Sequence, residues 1–317
     1  MKVMKNNAVR SFLTAALMAA TMFGLSAAQA EVFLKPFINA TNAPGDRNPT
    51  IAKTKDALTG GGFEIAGEYS PWAGAHVIVV TNDALKQNAA KSEMGGFGAM
   101  QRVSVAKVGE NIQVSYTNPV YMANVYRLAD DLSSIRAKLK SALGGADKEF
   151  GSAKGMTAKY LSEYEYAGME FVMPEFDKVY ELGEYDSYEE AIQMVEEGLA
   201  KNLGGTSKVY RIDVPGKKET VYGVALSGGS KEDDVECSGD DFIQQRVDGE
   251  ALRGIAHFPY DLMVKDGEVI SLHVKFRIAQ SWPDLSMMGS EERRVGKEGR
   301  CRGWAWHYKV RVTKARS

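Results

Sequence analysis

Three histidines, His76, His257 and His273, have the widest chemical range of any side chains in the body of this chain. Imidazole can ligate a metal or haem iron, and it exchanges a proton near neutral pH. None of the three belongs to a His-x-His or His-x3-His pair, the spacings that set two ligands on one strand or one helix face. His76 opens the apolar run His-Val-Ile-Val-Val, His257 precedes Phe258-Pro259-Tyr260, and His273 falls on the polar side of an alternating run. Each is expected to be structural or solvated. The alternative is a metal or haem held by one histidine from each of two units, which would make the protein a redox accessory or an enzyme. Cys237 lies within an acidic stretch and reads as an ordinary loop or partly buried residue. The carboxylates Asp233, Asp234, Glu236, Asp240 and Asp241 are of the hard-oxygen type that Ca²⁺ prefers, but they lack the alternation of an EF-hand loop. A solvated acidic loop is expected. Met169 and Met173, four residues apart, read as core filling and not as a copper site. Gly60-Gly61-Gly62 ends a helix, whereas a phosphate cradle precedes one. Gly95-Gly96-Phe97-Gly98 reads as a loop. No Gly-x-Ser-x-Gly elbow, Walker loop or dinucleotide fingerprint occurs. No catalytic or metal residue is assigned, and any cofactor is left unknown.

The elements that would position these residues fall into two similar series. Asn48-Pro49 marks a helix start, with Pro at the first helical position, and the helix runs through Ile51, Thr54, Ala57 and Leu58. A strand region follows from Phe63, continued by His76 to Val80. Arg102 to Lys107 and Ile112 to Tyr116 form a hairpin about Gly109-Glu110-Asn111. Ile112, Val114 and Tyr116 alternate with Gln113, Ser115 and Thr117, which predicts that one face is buried. Thr117-Asn118-Pro119 ends the strand. A closing helix is apolar at Leu132, Ile135, Leu139 and Leu143.

The second series opens on Ser187-Tyr188-Glu189-Glu190, a capping box whose side chains satisfy first-turn N–H groups. Ile192, Val195, Leu199 and Leu203 then recur at helical spacing. Strands are expected over Lys208 to Val214 and Thr220 to Leu226. A hairpin of Asp261 to Val264 and Val269 to Phe276 turns about Lys265-Asp266-Gly267-Glu268. Ala106 to Glu110 correspond to Val264 to Glu268. The counterpart of the Leu132–Leu143 helix is missing after Asp284, so the second unit is expected to expose apolar sheet surface. Between the units, Ala146 to Tyr185 is rich in Tyr and Met, with a short helix expected over Gly155 to Tyr166.

The two ends differ from the body. Lys2, Lys5 and Arg10, the apolar stretch Phe12 to Leu25, and Ala28-Gln29-Ala30 read as a secretory signal cleaved near Ala30. The protein is therefore expected to be periplasmic or secreted, without stable membrane insertion after cleavage. Residues 290–298, Ser-Glu-Glu-Arg-Arg-Val-Gly-Lys-Glu, match the translation of a common sequencing adapter, so 290–317 is read as a non-native tail. The tail carries nine Lys/Arg and three Glu, the leader three bases and no acid. A formal net charge of −2 over 317 residues therefore leaves the body strongly acidic, which argues against a nucleic-acid partner. Setting the tail aside leaves Cys237 alone, so no internal disulfide is expected.

The helix–Gly-Gly-Phe–strand opening, the hairpin ending in Asn118-Pro119, and the Leu132–Leu143 helix resemble the domain of unknown function 302 family. The resemblance covers most of 48–145 and, more weakly, 186–289. Ser70-Pro71-Trp72 departs from the family's usual approach to its second strand. The resemblance implies an α/β sandwich that can self-associate, Asn118 and Pro119 as a structural motif, and no activity. The fold expected is α+β: two similar α/β-sandwich units, each an antiparallel-rich sheet covered by helices, in tandem duplication. The boundaries are a signal at 1–30, a first unit at 31–147, a Tyr-rich linker at 148–185, and a second unit at 186–289 lacking its last helix. The function expected is that of an exported, non-catalytic binding or accessory protein. Its ligand, a small molecule or a protein partner, is unknown, and it would sit between the units, with a homo-oligomer as a further possibility.

Overall fold

The computed structural model describes residues 31–163, 174–202, 205–227, 239–241, 244, 248 and 250–284. Residues 1–30, expected to be a signal, Met169, Met173, Cys237, Asp233, Asp234, Glu236, and residues 290–317, expected to be non-native, lie outside the described residues.

Two short strands, β1 (Phe33–Leu34) and β2 (Phe37–Pro44), precede the first helix, α1 (Arg47–Gly60). The helix starts earlier than Asn48-Pro49 predicts: Asp46 is the N-cap, and its carbonyl accepts from Thr50 N at 3.2 Å. Pro49 is still within the first turn, where backbone N–H groups have no intrahelical partner. Then follow β3 (Glu64–Tyr69), β4 (Ala75–Thr81), α2 (Asp83–Ala90), a 3₁₀ turn at Gly95–Gly98, β5 (Gln101–Val108) and β6 (Asn111–Thr117). After β6 come α3 (Pro119–Val125) and α4 (Ser133–Leu143). The Tyr-rich segment contributes strands of its own: β7 (Lys148–Phe150), β8 (Met156–Thr157) and β9 (Val179–Glu184), with α5 (Ala158–Glu163) between the last two. The remaining elements are α6 (Tyr188–Ala200), β10 (Thr206–Asp213), β11 (Glu219–Leu226), a 3₁₀ turn at Ile255–His257, β12 (Tyr260–Lys265), β13 (Glu268–Leu272) and α7 (Val274–Ser281).

The class is α+β. All described strand pairs are antiparallel, in a six-stranded sheet of order β3-β4-β5-β6-β2-β7, a five-stranded sheet of order β10-β11-β12-β13-β9, and the pair β1-β8. The two large sheets follow the same path. A first strand is followed by a helix, four strands meander back, and the last of them pairs with the first. Each sheet carries a bulge in its first strand, at Ala40 and at Leu182, and another in its second, at Ala66 and at Val209. Both central hairpins have two-residue turns, Gly109-Glu110 and Asp266-Gly267, with positive φ at Gly109 and Asp266. The structural match therefore sets Val108 against Lys265, one position away from the sequence alignment.

The first sheet has a fully covered outer face, where Ile38, Ile78, Val80, Val103, Val105, Val114 and Tyr116 pack under Leu58 of α1 and Ile135 and Leu139 of α4. Its other face meets the second sheet: Val77, Val79 and Ala106 share a core with Tyr210, Val221, Leu262 and Val264. The face of β6 with Ile112, Val114 and Tyr116 is buried as its alternation predicts, and the polar face is buried too. Gln113, Ser115 and Thr117 are all buried, and residues 251–253 close over Gln113. Gln113 Nε2 donates to Ala251 O at 2.6 Å, and Gln113 Oε1 accepts from Arg253 N at 3.1 Å. The expected strand through Phe276 also stops early, at Leu272. His273 caps α7 by accepting from Lys275 N at 3.1 Å, and the helix buries Phe276, Arg277 and Ala279 on one side. A period-two pattern continued by chance across a helix start.

A buried ion pair crosses between the sheets. Arg102 of β5 donates through Nη2 to Asp261 Oδ2 of β12, and the Tyr210 hydroxyl donates to Asp261 Oδ1 at 2.5 Å. The two charged side chains are 4% and 0% exposed. Burial works against the Arg102 charge, but Asp261, Tyr210 and Tyr126 together raise the guanidinium above its ordinary value. Breaking one side of such a pair leaves a buried charge alone, at a cost of about 3–5 kcal/mol. Asp261→Ala is therefore expected to lower the unfolding free energy by about that amount in urea denaturation. The double variant Arg102→Met/Asp261→Leu, which removes both charges, should recover most of it.

Candidate functional site

Between the halves lies a cleft of about 370 Å³. Trp72, Lys107, Val108 and Gly109 line one side, and Asp241, Gln244, Asp248, Arg253 and Ile255 the other. The first wall is built by the β3–β4 turn and the tip of the β5–β6 hairpin. There the sequence Ser70-Pro71-Trp72 swings the indole over the sheet edge, and its ring meets Phe258 edge-on, with centroids 6.3 Å apart. The second wall is braced from within. The Asp248 carboxylate accepts from Gln244 Nε2 and Gly254 N, each at 2.6 Å, and Arg253 donates to the Asp248 carbonyl. Burial pushes the Asp248 carboxyl above its ordinary value.

A buried polar cluster adjoins this second wall, joined to it by the neighbours Asp240–Asp241, by the Ile255–His257 turn, and by the Trp72–Phe258 contact. Asp240, 1% exposed, accepts from the Tyr69 hydroxyl at 2.7 Å and from Leu226 N at 3.3 Å. It thereby ties the segment carrying Asp241 and Gln244 to the first sheet. Burial drives its carboxyl up to about 7, against the pull of Tyr69, Leu226 N and Arg277. Arg277 is itself 1% exposed; it donates to the carbonyls of His257 at 3.0 Å and Pro259 at 3.2 Å, and lies 4.1 Å over the Tyr260 ring. Its Nε and Nη1 groups, with Asp240 Oδ1, have no hydrogen-bond partner among the described residues. The expectation of a solvated acidic loop thus fails at Asp240, which is a buried tether.

The three histidine side chains occupy separate settings, with different side-chain neighbours. His76 on β4 contacts Ser70 Oγ at 3.0 Å through Nδ1 and Glu68 Oε2 at 3.3 Å through Nε2. His257 is 2% exposed, with Nδ1 at 2.7 Å from Ser281 Oγ and no described partner at Nε2. Burial first, then Arg277 and Arg102, hold it well below the ordinary imidazole value, so it is neutral. His273 belongs to a helix cap and not to a strand face: its ring stacks on Tyr180 at 4.4 Å, and Nε2 is 2.8 Å from the Tyr180 hydroxyl. No three or more His, Cys, Asp or Glu side chains among the described residues are grouped to hold a metal ion. Asn118 and Pro119 act at the β6–α3 junction. Asn118 N and Nδ2 donate to Pro36 O and Lys35 O at 2.8 and 2.9 Å, and Pro119 opens the helix. The Gly95–Gly98 segment is a buried 3₁₀ turn and not a loop; Gly96 N donates to Glu219 Oε1 at 2.6 Å.

In the sequence, Trp72 stands out only as a departure from a family pattern, and Gln244, Asp248 and Arg253 do not stand out at all. The Gln244–Asp248 spacing of four is the one local signal available. Nothing local marks Arg277, whose burial depends on α7 docking beneath β12.

The Asp240 carboxyl holds its proton to a higher pH in the folded chain than in the unfolded one. Its contribution to stability is therefore complete below about pH 4, falls as pH rises, and is lost near pH 7. The change is bounded at about 4 kcal/mol, because each tenfold gain in proton affinity is worth about 1.4 kcal/mol. Asp240→Asn keeps an acceptor for Tyr69 and should flatten the pH dependence of unfolding across this window relative to the parent chain.

No helix among the described residues is long and apolar enough to cross a membrane. No family model, curated protein or solved structure matches the chain.

Proposed function

We propose that this is an exported, non-catalytic binding or accessory protein that takes a small molecule in the cleft between its two sheet-bearing halves. The observation that carries the reading is the cleft itself. A volume of about 370 Å³ falls in the lower part of the range of small-molecule sites, about 300–1,000 Å³, and both halves supply its walls. A half-buried indole with charged groups on both sides is the mixture such sites use, an apolar surface with a few polar anchors. Export rests on the basic, apolar and small-x-small segments of residues 1–30. After cleavage the chain would be periplasmic or secreted and free of the membrane.

The same proposal includes a tandem duplication. Its support is the shared strand order of the two sheets and the bulges at Ala40 and Leu182, Ala66 and Val209. Membership of the domain of unknown function 302 family, and with it a capacity to self-associate, belongs to the reading too; it rests on the helix–Gly-Gly-Phe–strand opening and the Asn118-Pro119 junction.

Native mass spectrometry and an absorption spectrum of the exported chain test the binding role. The expected result is a bound organic mass that Trp72→Ala removes while thermal unfolding remains cooperative. Stoichiometric metal or a haem band would overturn the reading in favour of a redox accessory built on His76, His257 or His273.

A further inference from the structure

The charges that line the cleft are not all committed to the fold. Asp248 is satisfied by Gln244 Nε2, Gly254 N and Glu250 N, and Arg253 is turned onto the Asp248 carbonyl. These two serve as bracing. Lys107 on the first wall and Asp241 on the second remain exposed, and neither makes an ion pair among the described residues. They carry opposite charge and stand on opposite halves. Between these polar anchors run the apolar surfaces of Trp72, Val108 and Ile255.

We infer that the cleft takes a small zwitterion with an apolar or aromatic side group, the chemistry of a free α-amino acid or a very short peptide. This rests on the cleft being the binding site. Its carboxylate would meet the Lys107 ammonium, its ammonium would meet the Asp241 carboxylate, and its side group would lie against Trp72. An anion alone meets Asp241 and the nearby Asp248; a cation alone meets Lys107 and Arg253. Only a molecule with both charges is matched at both walls. The modest volume is too small for a long peptide.

The test is isothermal titration calorimetry on the full chain with L-phenylalanine, phenethylamine, 3-phenylpropionate and maltose. L-Phenylalanine is expected to bind at least about tenfold more tightly than either singly charged analogue, a difference of about 1.4 kcal/mol. Lys107→Met should level L-phenylalanine with phenethylamine, and Asp241→Asn should level it with 3-phenylpropionate. Both residues are exposed, so neither change threatens folding. If maltose or one singly charged analogue binds as tightly as L-phenylalanine and Trp72→Ala abolishes that binding, the cleft remains the site and the zwitterion inference is wrong. If no probe binds at millimolar concentration, the zwitterion inference also falls. The Trp72-dependent organic mass in native spectrometry then decides separately whether the cleft is a site at all.

Discussion

The register between the two sheets depends on a charge pair that neither sheet could carry alone. Arg102 projects from β5 toward the second sheet, and without Asp261 it would be a guanidinium 4% exposed with nothing to neutralise it. Asp261, in turn, is completed by the Tyr210 hydroxyl from the same sheet. Apolar packing around Val77, Val79, Leu262 and Val264 supplies the area that holds the faces together. It is indifferent to sliding by one residue, however, whereas a buried ion pair is not. The pair therefore fixes register between the faces, and with it the spacing between the hairpin tip at Lys107–Gly109 and the segment from Asp241 to Ile255. The cleft inherits its width from that constraint.

Much of the fold was legible because local rules and the tertiary outcome agreed. The Ser187 capping box formed with Glu190 N donating to Ser187 Oγ at 3.1 Å, and Leu139 and Val195 fell on the buried faces their spacing predicts. The hairpin turns at Gly109 and Asp266 followed from residues that accept positive φ. One failure comes from burial imposed by a distant element, the other from a period-two pattern that ran on into a helix. Polar alternation on β6 correctly located two faces, yet gave no sign that the second would be buried as well, with residues 251–253 closing over Gln113. The run from Val269 to Arg277 kept its period past Leu272, although the backbone had already turned into a helix capped by His273.

The candidate site was far less legible. Its residues come from positions between 72 and 255, and the chemistry lies in their juxtaposition. Histidines stand out by type, but the fold uses them as a strand-edge partner, a neutral core group and a helix cap. The polar groups that matter for the cleft are ordinary surface types in sequence, and only the packing separates Asp248, which braces a wall, from Asp241, which faces outward.

The contact between β3 and β10 bears on how this chain behaves in company. Both are terminal strands of their sheets, with one row of backbone groups left unpaired by the described strands, the arrangement that recruits strands from other molecules. At Gly67 a side chain would overlap the Val209 carbonyl oxygen, so the two bulged strands abut with no room for an intruder. The opposite margins are β7, three residues long, and β9, which carries Glu181 and Glu184. Each sheet thus uses the other to hide the margin most open to templating, and leaves outside only a short strand and an acidic one. A larger residue at Gly67 would do more than lower stability: it would part the strands and give the chain a surface on which copies could polymerise.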